Sequence, residues 1–365
     1  MDPSISRTHL LSSCPVRASG PEAFPLPGRE ISLRMGRALL GLAAATWLLM
    51  GLGSATRVMN AGLACPDWPL CYGELLPTEQ MNLQVFLEWF HRLVAAGVGL
   101  ATLVLVGFAW LKRKALPNWL PWGLSWAFVL VVAQGILGGL TVTELLRFDI
   151  VTAHLGTGLL FFATLLTLGL LVLPRFASSI RAPRRYRERA TRTEALEGRA
   201  AVGYLPWLGL VAVLLVYVQS LLGALVASRW ALHQCLAAGE LCGVMNSHLL
   251  GVAPATLAVV GVAAATGRRR VPKILKLLGY GSVGLLLAQV GVGVLTYRYR
   301  LQVEPLTVAH QMVGAALLGC LLGFTVLAWR LRNSAPRQGE DRAGTQPGAT
   351  AVAITVRASG PEAFE

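Results

Sequence analysis

The chain has 365 residues, of which 55% are hydrophobic and only 14% are charged, whereas soluble domains carry nearly twice that share of charged residues. This composition excludes a soluble globular enzyme, a disordered chain and a small disulfide-stapled fold, and it predicts an integral membrane protein. The formal net charge of +14 has to be interpreted by its position along the chain before nucleic acid is considered as a partner.

Eight apolar stretches are each long enough to cross a bilayer as a helix, for which roughly 20 residues suffice. They lie at residues 37–55, 89–111, 119–142, 151–173, 204–227, 244–265, 274–295 and 306–329. We therefore predict an all-α integral membrane protein with eight transmembrane helices. The segments before residue 37 and after residue 330 contain no such stretch, and we expect both to be disordered tails.

Most of the 32 lysine and arginine residues fall in alternate connections and in the two tails. The basic connections lie at residues 112–114, 175–199 and 268–276. The positive-inside rule then predicts a multi-pass protein of the plasma (inner) membrane with both termini in the cytoplasm. Topology accounts for the basic charge, so we expect a lipid bilayer around the protein and no nucleic-acid partner.

The two halves of the chain repeat each other. Gln134 begins a glycine-rich segment and is followed by His154, and Gln289 begins a similar segment that is followed by His310. Four helices separate equivalent positions, so the copies have the same orientation and are predicted to be related by a pseudo-two-fold axis along the membrane normal. We interpret the repeated glycines as sites of close helix packing.

The repeat predicts two tandem four-helix bundles. The predicted divisions are a cytoplasmic tail at residues 1–36, a first bundle at 37–173, a basic cytoplasmic linker at 174–203, a second bundle at 204–330 and a cytoplasmic tail at 331–365.

Four of the six histidines lie near the outer ends of the even-numbered helices, at one depth. They are His91, His154, His248 and His310. Ionisable groups inside a membrane are costly and commonly functional, although a single one is often a hydrogen-bonded interior histidine. Two imidazoles from facing helices, with no cysteine or second histidine one turn away, suit the axial positions of a heme better than tetrahedral zinc. We predict one bis-histidine heme site in each half.

An acidic residue distinguishes the halves. Glu88 precedes His91 by three residues, on the same helix face, whereas the second half has Met245 at the matching position. A carboxylate beside one heme can act as a base or stabilise a developing positive charge. The alternative is an exposed acid that the helix dipole favours at the start of a helix. If the acid is functional, the first site performs the chemistry and the second only holds a heme.

Matching outer loops of the two halves each contain a close pair of cysteines. The pairs are Cys65 with Cys71 and Cys235 with Cys242. Four cysteines could hold zinc, but one close pair per repeat on the oxidising side favours two disulfides that shape lids over the hemes. A redox-active first pair is the alternative. Candidates for contacts with heme propionates or with the loops are Arg57, Arg92 and Arg229.

Residues 37–330 resemble the heme A synthase family. The resemblance rests on Gly-Ser-Ala-Thr-Arg at 53–57, Gly-Leu-Ala-Cys-Pro-Asp-Trp-Pro-Leu-Cys at 62–71, Glu-Trp-Phe-His-Arg at 88–92, and the segments that contain Gln134, His154, Gln289 and His310. It implies oxidation of a peripheral methyl of heme O to the formyl group of heme A, by successive hydroxylations, for cytochrome c oxidase assembly.

The resemblance also implies the roles of the site residues. The substrate heme O would lie between His91 and His154, and a heme b cofactor between His248 and His310. Glu88 matches the acid that the family ties to catalysis, and no zinc is expected. A heme O synthase and an electron acceptor are the implied partners, and the sequence leaves open whether the protein forms a homo-oligomer.

Three other functions compete with this interpretation. A non-catalytic b-type cytochrome that carries electrons, or a heme carrier, would need the histidines but no acid, so a carboxylate in only one half argues against both. A transporter built on the parallel repeat lacks a visible broken helix or midplane ion site.

Overall fold

The computed structural model describes residues 26–173, 203–227, 243–267, 271–300 and 302–333. Within these ranges the regular structure is helical: α1 (Leu26–Val58), α2 (Leu83–Leu111), α3 (Trp119–Thr143), α4 (Phe148–Val172), α5 (Leu205–Val226), α6 (Gly243–Thr266), α7 (Lys273–Arg298) and α8 (Glu304–Asn333). All eight are long and apolar enough to cross a membrane. The prediction of an all-α membrane protein with eight spanning helices is confirmed.

The first helix begins at Leu26, eleven residues before the predicted start. Charged residues interrupt the apolar pattern here, so the sequence did not indicate a spanning helix. In the structure, Arg34 donates to Glu30 at 2.7 Å across one exposed helical turn. The same turns bury Met35 and Leu39. Residues 26–36, which the sequence assigned to a disordered tail, are therefore the first turns of α1.

Each half of the chain forms a closed ring of four helices. Helices α1 to α4 each contact the next, and α4 returns to α1; α5 to α8 repeat this arrangement. The halves meet through α1 with α8, α4 with α5, and α4 with α8. Exchanging the halves leaves this set of contacts unchanged, as the predicted two-fold axis requires, and the axis itself stays a prediction.

Burial follows from this arrangement. Two large apolar clusters form the interior, one with residues from all four helices of the first half and the other mainly with residues from the four helices of the second half. In the most apolar 18 residues of each helix, 50% are buried in α4 and 67% in α8, the two central helices. The corresponding share in α2 is 17%, and this helix exposes leucines and valines. Exposed apolar side chains on an outer helix suit contact with lipid acyl chains.

The direction of the chain brings the four histidines to one end of the molecule. Helices α2, α4, α6 and α8 begin at the same end, because each histidine contacts a glycine near the end of the preceding helix, and Arg57 at the end of α1 contacts Gln311 near the start of α8. Each carries its histidine within the first three turns. The fold thus supports the matched depth that the sequence predicts.

Candidate active site

Each of the four histidine rings lies on a glycine of the preceding helix. A Cβ atom built on the glycine would lie 2.8 to 3.5 Å from the Cε1 atom of the ring. The pairs are His91 on Gly53, His154 on Gly138, His248 on Gly223 and His310 on Gly293. At Gly53, Gly223 and Gly293 the absence of a Cβ atom leaves room for the imidazole, whereas the 3.5 Å at Gly138 is an ordinary van der Waals distance. The interpretation of the repeated glycines as sites of close helix packing stays a prediction.

The second pair of histidines has a geometry that fits one metal between two rings. The ring centroids of His248 and His310 are 6.4 Å apart, and their planes are inclined by 76°. Imidazole nitrogens bind metals at about 2.0–2.1 Å, so two rings on opposite sides of one ion have their centres about 6 Å apart.

Several buried imidazole nitrogens have no hydrogen-bond partner in the part of the chain that the structure describes. They are the Nδ1 atoms of His91, His154 and His310. Buried polar atoms without partners are rare in native proteins and are found where a bound group or water completes the hydrogen bonding. Each histidine pair therefore has at least one buried ring nitrogen whose hydrogen bonding a bound group could complete.

Three glutamines hold the histidine helices from neighbouring helices. Gln134 donates to the carbonyl oxygen of His154 at 2.9 Å, and Gln219 donates to that of His248 at 2.7 Å. The amide nitrogen of Gln289 lies 3.3 Å from Nε2 of His310. The repeated motif identified Gln134 and Gln289 but not Gln219. The feature that could have indicated Gln219 is a single amide side chain in the apolar sequence of α5, four residues before Gly223.

The carboxylate of Glu88 is buried, with only 4% of the residue exposed. Its Oε2 accepts from the backbone amide of Cys65 at 2.9 Å, and its Oε1 accepts from Nη2 of Arg92 at 2.5 Å. The alternative of an exposed acid that merely caps the helix dipole was therefore wrong. The guanidinium of Arg92 therefore pairs with this buried carboxyl group, and a buried charge without a partner would be strongly destabilising.

The loop that follows α1 is closed by a disulfide between Cys65 and Cys71, as predicted, with the Cα atoms 4.8 Å apart. Nη1 of Arg92 donates to the carbonyl oxygens of Asp67 at 2.7 Å and Leu70 at 2.6 Å. Arg92 thus joins the loop to the buried carboxylate of Glu88, which agrees with its predicted loop contact.

The same loop reaches the wall of the first histidine pair. The indole of Trp68 lies against Gly139, where a Cβ atom would be 3.0 Å from the ring. Gly139 is adjacent to Gly138, on which His154 packs. The loop therefore lies beside the first histidine pair, and its use as a lid stays a prediction.

The remaining predicted residues have different outcomes. Nη2 of Arg57 donates at 3.5 Å to Oε1 of Gln311, next to His310 in the other half, and its contact with a heme propionate stays a prediction. Cys235, Cys242 and Arg229 lie outside the described residues, as does the basic linker at 175–199. Within the described ranges, no three histidine, cysteine, aspartate or glutamate side chains form a metal-binding group, so the histidines occur as pairs.

Asp67 organises the tip of the loop. Its carboxylate accepts from the backbone amides of Gly73 at 2.8 Å and Tyr72 at 2.6 Å, and these bonds lower its pKa below the ordinary value of 3.8. A lowered pKa means that the ionised form supports the loop at all higher pH values and that support is lost as pH falls through the folded-state pKa. We expect reduction of the Cys65–Cys71 disulfide by a water-soluble phosphine to become several-fold faster below pH 3.8.

The matched variant for this prediction is Asp67→Asn, which keeps the shape but not the charge. Its disulfide should already be reduced several-fold faster at neutral pH and should show no further acceleration in acid, once both rates are corrected for protonation of the phosphine with an unstructured disulfide as reference. The same pH dependence in both proteins would contradict the assignment to Asp67.

Comparison of the sequence with known proteins identifies related chains. A family described as COX15-CtaA, cytochrome oxidase assembly protein, matches residues 36–322. A protein named heme A synthase from Shewanella oneidensis is 31% identical over 208 residues, which are 53% of this chain and 56% of that protein. One of the same name from Caulobacter sp. (strain K31) is 29% identical over 336 residues, which are 80% of this chain and 95% of that protein.

Some of these matches cover only part of the related protein, and one short match is to a protein with a different name. The alignment with a heme A synthase from Symbiobacterium thermophilum covers 42% of that protein, so the matches to the Shewanella and Symbiobacterium relatives span only about half of each. A stretch of 68 residues, 18% of this chain, is 44% identical to 14% of a protein from Haloarcula marismortui named protoheme IX farnesyltransferase.

Proposed function

The chain belongs to the COX15-CtaA family of cytochrome oxidase assembly proteins, and on this premise we propose that it is an oxidoreductase that converts heme O to heme A. The reaction turns a peripheral methyl group of the porphyrin into a formyl group by successive hydroxylations. The observation that carries the proposal is the buried ion pair of Glu88 and Arg92, one turn from His91 and under a disulfide-closed loop. The second histidine pair has no acid at the matching position.

The histidine pairs would hold two hemes with different tasks. His91 and His154 would bind the substrate heme O, and His248 and His310 would bind a heme b cofactor. Bound heme b supplies a one-electron redox centre. The unpartnered Nδ1 atoms and the 6.4 Å separation of the second pair support a bound group at the histidines, and the assignment of heme O and heme b follows the family resemblance.

Glu88 would act at the reacting methyl carbon. Its carboxylate would take a proton from an attacking water or stabilise positive charge that develops on the porphyrin edge. The backbone amide of Cys65 and the guanidinium of Arg92 hold the two carboxylate oxygens in a fixed orientation. A group that is already oriented before the reaction costs no reorganisation in the transition state.

The outer loop would limit access to the first site. Arg92 holds the loop by two carbonyl oxygens, and Trp68 packs beside the glycine that supports His154. A covered site keeps bulk water away from the oxidised intermediates while it admits the water that reacts.

The proposed partners follow from the chemistry. The substrate is a farnesylated heme, so a heme O synthase would supply it, and the similarity to part of a protoheme IX farnesyltransferase supports a connection with that step. The electrons that leave the methyl group require an acceptor. We place the protein in the plasma membrane with both termini in the cytoplasm and the histidine ends outward, because basic residues flank the opposite helix ends.

The main alternative is a b-type cytochrome without catalytic activity. The second half alone would satisfy it, since it holds two facing histidines without an acid. It gives no reason for a buried carboxylate and a disulfide-closed loop at the first pair.

The test is the identity of the pigments that the protein carries. The full chain is purified from cells that also express a heme O synthase, and its hemes are extracted with acid and identified by chromatography and mass. We expect heme A or its hydroxylated precursor together with heme b, and heme b alone in cells without the synthase. Heme b alone from a folded protein, with heme O available, would contradict the proposal and favour the cytochrome.

A further inference from the structure

Two hydrogen bonds cross between the halves of the molecule at equivalent positions. Nε1 of Trp47 in α1 donates to the carbonyl oxygen of Met312 in α8 at 3.0 Å. The hydroxyl of Tyr217 in α5 donates to the carbonyl oxygen of Gly156 in α4 at 3.3 Å. Each acceptor lies two residues after a histidine, His310 in the first case and His154 in the second.

The two donors occupy the same position of the repeat. Trp47 precedes Gly53, on which His91 packs, by six residues, and Tyr217 precedes Gly223, on which His248 packs, by six residues. Both aromatic side chains are therefore tied to the histidine helix of the opposite half.

The side chains beside these bonds also correspond, with small and large residues exchanged. Four residues after Trp47, Gly51 faces the side chain of Met312. Four residues after Tyr217, Leu221 faces Gly156. One glycine in each interface lets the two helices approach, so that the aromatic donor can reach a backbone carbonyl that is already part of a helix.

We propose that each half of the protein positions an axial histidine of the other half, with Trp47 acting on His310 and Tyr217 acting on His154. The proposal rests on the proposed function only in that the histidines bind hemes. Residues two apart on a helix point about 200° away from each other. The hydrogen bond between the halves, called the crossing bond below, therefore fixes the helix on the face opposite to the one that carries the histidine ring.

The arrangement makes each donor a positioning residue for the heme of the opposite half. Loss of one crossing bond would let the helix move at the turn that carries the axial histidine. Because a single hydrogen bond has a modest net effect, we expect the affected heme to dissociate roughly two- to tenfold faster.

The test uses low-temperature electron paramagnetic resonance of the full-length protein, isolated in its ferric form from cells that make heme O. The variants His154→Ala and His310→Ala assign the low-spin signal of each site. We expect Trp47→Phe to shift the signal that His310→Ala removes, and Tyr217→Phe to shift the signal that His154→Ala removes. In each case the other signal stays in place.

Two further variants separate this role from a general loss of packing. Trp110→Phe removes a comparable indole bond, the 3.1 Å bond to Ser125, within the first half, and should move neither signal. Trp47→Tyr should restore the signal of the His310 site, because a tyrosine occupies the equivalent position at 217.

The outcomes are distinct. A shift in the donor's own half, in both halves or in neither would overturn the inference. Tyr217→Phe removes a single oxygen atom, so it decides the question even if Trp47→Phe fails to fold. Wild-type protein without either low-spin signal would instead overturn the proposed heme sites.

Discussion

Replacing Glu88 with glutamine is expected to lower the rate of heme A formation by about a hundred- to ten-thousand-fold, the range for loss of a general base. The amide keeps the volume of the side chain and an oxygen that can accept from Cys65, so the loop should stay in place. It cannot take a proton or balance the charge of Arg92. Conversion is measured with membranes that contain heme O, and the bound pigments are quantified beside it.

A second glutamate provides the matched control for this variant. Glu144 also pairs with an arginine at a helix end, Arg147 at 3.4 Å, but both members of this pair are exposed. Glu144→Gln should convert heme O at the wild-type rate. Full turnover by Glu88→Gln, with both hemes bound, would remove the carboxylate from the mechanism.

Replacing Gly293 with alanine is expected to weaken heme b binding by roughly 10- to 100-fold, the usual range for changes next to a metal ligand. The new Cβ atom would lie 2.8 Å from Cε1 of His310. A free imidazole can rotate away at little cost, whereas one that is bound to iron cannot, so the effect falls on heme binding and not on folding. Heme b content per protein and thermal stability of the heme-free protein are the two measurements.

The neighbouring Gly291 is the control, because a Cβ atom there meets nothing within 4 Å. Gly291→Ala should keep its heme b. In the first half, Gly53→Ala brings a Cβ atom equally close to His91 and should weaken the substrate site while heme b stays bound. Loss of heme b from Gly291→Ala as well would show that the helix, and not the ring contact, is sensitive.

The features that the sequence predicted well depend on composition and local spacing. Spanning helices require long apolar stretches, so all eight were found, and the start of α1 was misplaced only where charged residues form a helical turn. The Cys65–Cys71 disulfide follows from a short loop with two cysteines. The spacing of the repeat also predicted a common depth for the four histidines, and their positions near the starts of four helices support it.

The features that the sequence missed depend on contacts between distant elements. Nothing near Glu88 indicates that the amide of Cys65, 23 residues earlier, covers it. Glycine in a membrane helix suggests helix packing, and only the neighbouring helix reveals that Gly53 and Gly223 accommodate imidazoles. The crossing bond from Trp47 spans 265 residues, so the repeat could suggest its position but not its acceptor.

The central claim is that the two halves hold different hemes and divide the work, and the pigments of single-site variants test it most directly. The full chain is isolated from cells that make heme O, once with His91 and His154 changed to alanine and once with His248 and His310 changed. We expect the first protein to retain heme b with neither heme O nor heme A, and the second to lose heme b while it still binds heme O. Heme A in the first protein, or heme b bound by the second, would contradict the division.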